Sequence, residues 1–165
     1  MMRSLGDRLD AIHLRVRVPG TDIEAELRDR TDVTISFGDG GYQWLSERDL
    51  ERYMASLARL LYTAWVRAYR DNLPDAFLSA MDGPPDQREQ DFLAARAELR
   101  EQGASGDGRV TISAADMHDM TVRITPGTLR VLSEREFAAD TREAVTALLA
   151  DRRAKVRELK MRYFG

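Results

Sequence analysis

Apolar and polar residues alternate over residues 12–18: Ile12, Leu14, Val16 and Val18 fall on one side, His13, Arg15 and Arg17 on the other. A period of two is the signature of a strand with one buried face. Residues 2–11, with Leu5 and Leu9 one turn apart, predict a short helix before it, and Pro19-Gly20 a turn after it. Two more strands are expected at 22–28 and 32–37, then a turn at Asp39-Gly40-Gly41. From 47 to 71 the period changes. Leu50, Met54, Leu57, Leu61, Ala64 and Ala68 recur at spacings of three and four, which predicts a long amphipathic helix. Tyr53, Leu60, Tyr62, Trp65 and Tyr69 widen its stripe enough for two packing partners. Residues 75–81 suggest one or two further helical turns, and Asp82-Gly83-Pro84-Pro85 a linker. A helix at 86–102, a flexible glycine-rich loop at 103–108, and strands at 109–114 and 119–125 follow. Pro126-Gly127, an extended piece at 128–132 and a long helix at 134–162 complete the chain.

Both long helices begin on the same four residues, Leu45-Ser46-Glu47-Arg48 and Leu132-Ser133-Glu134-Arg135, at an offset of 87. Ser46 with Asp49, and Ser133 with Glu136, have capping-box spacing, and Leu45/Leu50 and Leu132/Phe137 that of a hydrophobic staple. At this offset residues 23–72 lie on 110–159 without a gap, with ten identities in fifty positions; average composition gives about three by chance. The matches include Asp29/Asp116, Asp32/Asp119, Thr34/Thr121, Gly40/Gly127, Leu61/Leu148 and Arg70/Arg157. The pattern is that of an internal duplication. The expected fold is α+β, in two similar halves that each pack a small antiparallel sheet on a long capped helix, with residues 1–81 and 86–165 joined by 82–85. One local signal disagrees: the offset places strand 12–18 on 99–105, where the residues read as a helix end and a loop.

At 165 residues and 43% hydrophobic, the chain has enough apolar material for one core or two small ones. Without cysteine there are no disulfides and no thiolate metal sites. The charges spread through Met1 to Asp10 leave no apolar stretch of a signal peptide, and no run approaches membrane-spanning length, so the expected compartment is the cytoplasm. A net charge of −3 argues against bulk attraction to nucleic acid. The last helix nevertheless ends in a basic run, Arg152, Arg153, Lys155, Arg157, Lys160 and Arg162, and cations suit a helix C-terminus. Asp116, His118 and Asp119 could converge on a metal ion, but a solvated hairpin turn with capping carboxylates explains them better. No nucleophile triad, phosphate loop or dinucleotide fingerprint is present, so neither a catalytic site nor a cofactor is expected.

A charged helix, a glycine-rich loop, strands of the type Val110-Thr-Ile-Ser113 and Met120-Thr-Val-Arg-Ile-Thr-Pro126, then a capped helix with a basic end: this succession resembles the YbaB/EbfC family of small bacterial nucleoid-associated proteins. The resemblance covers about 86–160 and, more faintly, 2–72, and rests on pattern and order. It implies α-β-β-β-α units that form DNA-binding homodimers, so the duplicated chain would hold both subunits as a fused pseudo-dimer. DNA is then the expected partner, held through its phosphates by Arg152, Arg153, Lys155, Arg157, Lys160 and Arg162, with Arg15 and Arg17 in a second rank, and the protein would sit on the nucleoid. Related domains also occur in actinobacterial proteins tied to specialised secretion. The alternative is therefore a protein-interaction or chaperone-like module that binds no DNA.

Overall fold

The computed structural model describes residues 4–39, 41–75, 83–117 and 119–165. The further turns expected at 75–81 lie almost wholly outside them. In chain order the elements are α1 (Leu5–Asp10), β1 (Leu14–Arg17), β2 (Glu24–Arg28), β3 (Asp32–Ser36), a 3₁₀ turn (Tyr42–Trp44), α2 (Glu47–Asp71), α3 (Gln87–Ala97), β4 (Arg100–Ala104), β5 (Val110–Ala115), β6 (Asp119–Ile124), α4 (Thr128–Val131) and α5 (Glu134–Phe164). Two antiparallel three-stranded sheets form, in the orders β1-β2-β3 and β4-β5-β6. The protein is α+β, with two similar halves that each contain a sheet and a long helix.

The offset of 87 holds in three dimensions and reaches further back than the sequence identities do. Helix α1 ends at Asp10 and α3 at its equivalent, Ala97. Each end is followed by an equivalent backbone bond, Ile12 N–H to the Leu9 carbonyl and Leu99 N–H to the Arg96 carbonyl. The first hairpin of each half closes alike: Val18 N–H donates to the Ile23 carbonyl at 3.0 Å and Ser105 N–H to that of Val110 at 2.9 Å. The strongest sign is backbone strain. Asp29 and Arg30 sit at φ 50° and 68°, and Asp116 and Met117 at 49° and 61°. Left-handed φ is uncommon for side chains other than glycine, asparagine and aspartate. Two consecutive such residues at equivalent turns mark one hairpin used twice.

Two sequence expectations need correction. Residues 100–104 are a strand, so the helix from 86 stops at Ala97, and Gly103 is a strand residue. Glycine is there because α5 lies directly on the strand: a Cβ at Gly103 would come within 2.2 Å of Leu148 N and 2.3 Å of the Ala144 carbonyl oxygen. Residues 128–131 are a short helix, begun through Gly127 at φ 85°.

Each long helix spans both halves. Helix α2 packs on β1 and β2 and reaches β6; α5 packs on β4 and β5 and reaches β3. Such reciprocity is the geometry of a two-fold dimer. One buried cluster runs through both sheets, with Ala25, Phe37, Leu50, Met54 and Leu57 from the first half and Val110, Ile112, Val122, Phe137 and Ala144 from the second. At its centre Phe37, Tyr42 and Phe137 stack edge to face or tilted, with ring centroids 5.3–5.9 Å apart. Polar bonds also cross between halves. The Glu47 carboxylate accepts from Gly127 N–H (3.0 Å) and Leu129 N–H (3.4 Å), Glu51 accepts from Ile124 N–H (2.9 Å), and the Tyr42 hydroxyl donates to the Leu132 carbonyl (3.0 Å). Both expected capping boxes form, Ser46 with Asp49 and Ser133 with Glu136.

Candidate functional site

The cations singled out by the sequence divide into paired and unpaired groups. On the outer face of the first sheet, Arg15 pairs with Glu26 at 2.6 Å and Arg17 pairs with Glu24. Glu26 also meets His13 at 3.0 Å and Arg28 at 3.2 Å. Hydrogen bonds from His13 and then Arg15 hold its carboxyl down at about 2. This face is therefore a ladder of matched charges. Arg152 points inward, pairing with Glu101 at 2.5 Å and Asp116 at 3.3 Å, and the Glu101 side chain is wholly buried. Lys155 donates to the Arg100 carbonyl at 2.5 Å and meets Asp151 at 2.9 Å. Asp151 in turn accepts from Gln102 N–H at 2.9 Å. These two side chains bind the free edge of β4 to α5, protecting an edge that would otherwise pair with another chain.

The remaining cations are outermost. Arg162 approaches Glu158 only at 3.8 Å. Arg153, Arg157 and Lys160 are exposed and, among the described residues, form no ion pair. Their spacing of four and three puts them on one face of α5. On the inner side of that helix end, Phe92 of α3 packs against Tyr163 and Phe164, with centroids 6.4 and 5.2 Å apart.

Among the described residues no cluster of three His, Cys, Asp or Glu side chains could hold a metal ion. His118, part of the metal alternative at the second hairpin, lies outside them. No helix among the described residues is long and apolar enough to cross a membrane. One carboxyl pair has the split acidity that acid–base chemistry uses. Asp140 is pushed up to about 7 by burial, by its hydrogen bond to Asp107 and by the charges of Asp107 and Glu143, while Asp107 is held at about 2. One buried Asp140 oxygen has no ordinary donor, as expected if the two carboxyls share a proton. Asp107 meanwhile accepts from the Ser105 hydroxyl at 2.7 Å and from Arg109 N–H at 3.0 Å, so it closes the β4–β5 turn.

Two apolar features remain. The first is Trp44, 82% exposed, and its repeat equivalent Val131, 60% exposed. Each immediately precedes the leucine that leads into a long helix. The Tyr42–Leu132 and Glu47–Leu129 bonds hold the starts of the two long helices together at one end of the molecule. The second is a cleft of about 220 Å³ between the long helices. Ala58, Leu61, Tyr62 and Trp65 of α2 line one wall and Val145, Leu148, Leu149 and Arg152 of α5 the other. These are equivalent residues, position by position, at the offset of 87. Arg30 and Val33 with their equivalents Met117 and Met120 close the cleft at the hairpins. A cavity lined by six repeat-related pairs straddles the approximate two-fold axis. Nothing in the residue types announces it, since each reads as ordinary core.

No protein-family model matches the chain, and no curated protein or solved structure shows significant similarity to it.

Proposed function

We propose that the chain is a non-catalytic binding module, a YbaB/EbfC-like pseudo-dimer that docks a protein partner on the end bearing Trp44 and Val131. The observation that carries this reading is the exposure of a tryptophan and its repeat equivalent on the two segments that lead into the long helices. Large apolar side chains left this exposed mark interaction surfaces where they cluster, and tryptophan is enriched at binding hot spots. Trp44→Lys with Val131→Lys is the test. Wild-type protein is expected to capture one partner in fixed stoichiometry, and the folded double variant to lose it. Equal capture by both proteins would remove this end from the reading, and absence of any stoichiometric partner would remove the reading itself.

A second reading, DNA binding on the nucleoid, is favoured by one observation, the unpaired Arg153, Arg157 and Lys160 stripe. The paired Arg15, Arg17, Arg152 and Lys155 weigh against a larger phosphate footprint. Three phosphate contacts give a slope of log affinity on log salt of about −2.7. Titration of duplex DNA at two salt concentrations, with Arg153→Glu/Arg157→Glu alongside, tests it. Salt-insensitive binding, or binding the double variant retains, would sink it.

A further inference from the structure

We infer that the cleft on the approximate two-fold axis is a binding site for an uncharged, ring-containing small molecule. Four observations carry this beyond the protein-docking reading. The lining is almost wholly apolar, and two aromatic residues, Trp65 and Tyr62, stand on one wall. The two arginines at its margin are already matched, Arg152 by Glu101 and Asp116, Arg30 by Asp10 at 2.8 Å. No charge among the lining residues is left over to recognise an anion, and the carboxylates beside Arg152 would repel one. The volume, about 220 Å³, exceeds the roughly 150 Å³ of an apolar cavity that admits a single benzene ring. One or two ring systems can enter the cleft, which is partly open to solvent. Met117 and Met120 supply an adaptable floor, since thioether side chains re-pack around varied shapes and favour contact with aromatic rings.

The divergence of the two halves supports the same conclusion. In a symmetric dimer both walls would be identical. Here Trp65 of one wall has Arg152 as its equivalent on the other, and Tyr62 has Leu149. One wall is aromatic and the other aliphatic with a buried ion pair behind it, so the two sides of the cleft differ in the contacts they give a ring.

N-phenyl-1-naphthylamine, an uncharged two-ring-system fluorophore, is the probe. The chain has two tryptophans. In a Trp44→Phe background Trp65 is the sole donor; energy transfer to the probe shows that it binds within transfer range of Trp65, and the filled variants place it in this cleft. Saturable one-to-one binding with transfer from Trp65 is expected. Filling the cleft by Ala58→Leu, or independently by Leu149→Trp assayed by probe fluorescence alone, should weaken it at least tenfold while circular dichroism stays native. The anionic analogue 8-anilinonaphthalene-1-sulfonate should bind at least tenfold more weakly. Absence of saturable binding, binding without transfer from Trp65, or undiminished affinity in folded filled variants would overturn the site. Equal affinity for the anionic analogue would overturn the uncharged class. If one filled variant fails to fold, the other decides.

Discussion

At the scale of single residues, two positions carry more than their size suggests. Gly103 lets α5 rest on β4 backbone to backbone. Gly103→Ala forces a methyl into space already held by Leu148 and Ala144 main-chain atoms, which cannot rotate away. Overpacking of a well-packed site costs about 1–3 kcal/mol and occasionally more. With backbone as the obstacle, a loss of about 3 kcal/mol or greater is expected in urea unfolding. Gly106→Ala, whose methyl would approach only the Glu143 carboxylate at 3.4 Å, should stay within about 0.5 kcal/mol. Equal effects of the two would refute the close-approach argument. Asp140 gives a pH-dependent counterpart. Its folded pKa, about 7, lies above the ordinary carboxylate value, so the folded state holds a proton that the unfolded state releases. Its contribution is fully present below about pH 4, declines as pH rises, and is gone once pH passes about 7. Asp107, held at about 2, has the opposite sign, and its contribution is lost only as pH falls below about 4. The melting-temperature difference between wild type and Asp140→Asn should therefore shrink from pH 4 to pH 7 and level off above. Allowing for solvent screening, the span is about 1–2 kcal/mol. A difference that does not change with pH would show that the two carboxyls share no proton.

At the scale of elements, the halves use different means at one equivalent place. Where the second half joins β4 to α5 through the buried Glu101–Arg152 pair, the first half has Leu14 and Trp65. Removing one member of a buried pair costs about 3–5 kcal/mol, because the other charge is left uncompensated, whereas replacing both by apolar groups is often neutral. Arg152→Ala should fall in that range, and Glu101→Leu/Arg152→Trp should return to within about 1 kcal/mol of wild type. A double variant as unstable as the single would mean the pair does more than fill the space. Ser133→Ala, which removes the hydroxyl accepting Glu136 N–H at 3.2 Å, should cost about 1 kcal/mol. These same elements differ in how far the sequence reveals them. Helix α2 was legible to the residue, because its period and cap are local properties of the chain. Strand β4 was not, since Gln102-Gly103-Ala104 has no alternation of large side chains, and the glycine that reads as a loop is set by a helix some forty residues later. The repeat offset did place a strand there, so the long-range signal was right where the local one failed. Among the candidate cations, Arg152 and Arg153 are adjacent and alike in sequence. Only the fold distinguishes the one turned toward Glu101 from the one turned to water.

At the scale of the molecule, the decisive property is that neither half owns its core. The ring cluster takes Phe37 and Tyr42 from one half and Phe137 from the other. Each long helix extends onto the edge strand of the opposite sheet. A half of about 80 residues is near the size at which a single core becomes marginal, and here it would also expose the apolar face it normally buries in its counterpart. Expressed alone, residues 1–84 and 85–165 should each lack cooperative unfolding as monomers. Mixed, they should recombine into a one-to-one complex with the far-ultraviolet spectrum of the intact chain. The seam is unlike on its two sides, which favours that pairing over either homodimer. Glu51, which accepts from Ile124 N–H, has Ala138 as its equivalent, and the Tyr42 hydroxyl that meets the Leu132 carbonyl is matched by Leu129. A homodimer of first halves would place Leu50 where Phe137 meets Phe37 and Tyr42, and one of second halves would place Leu129 where Tyr42 stands and lose both polar bonds. Native mass spectrometry of the mixture should therefore show the heterodimer as the main species. Two independently folding monomers that ignore each other would instead mean that the shared core is a contact between finished domains, and that the two-fold arrangement did not originate in a dimer.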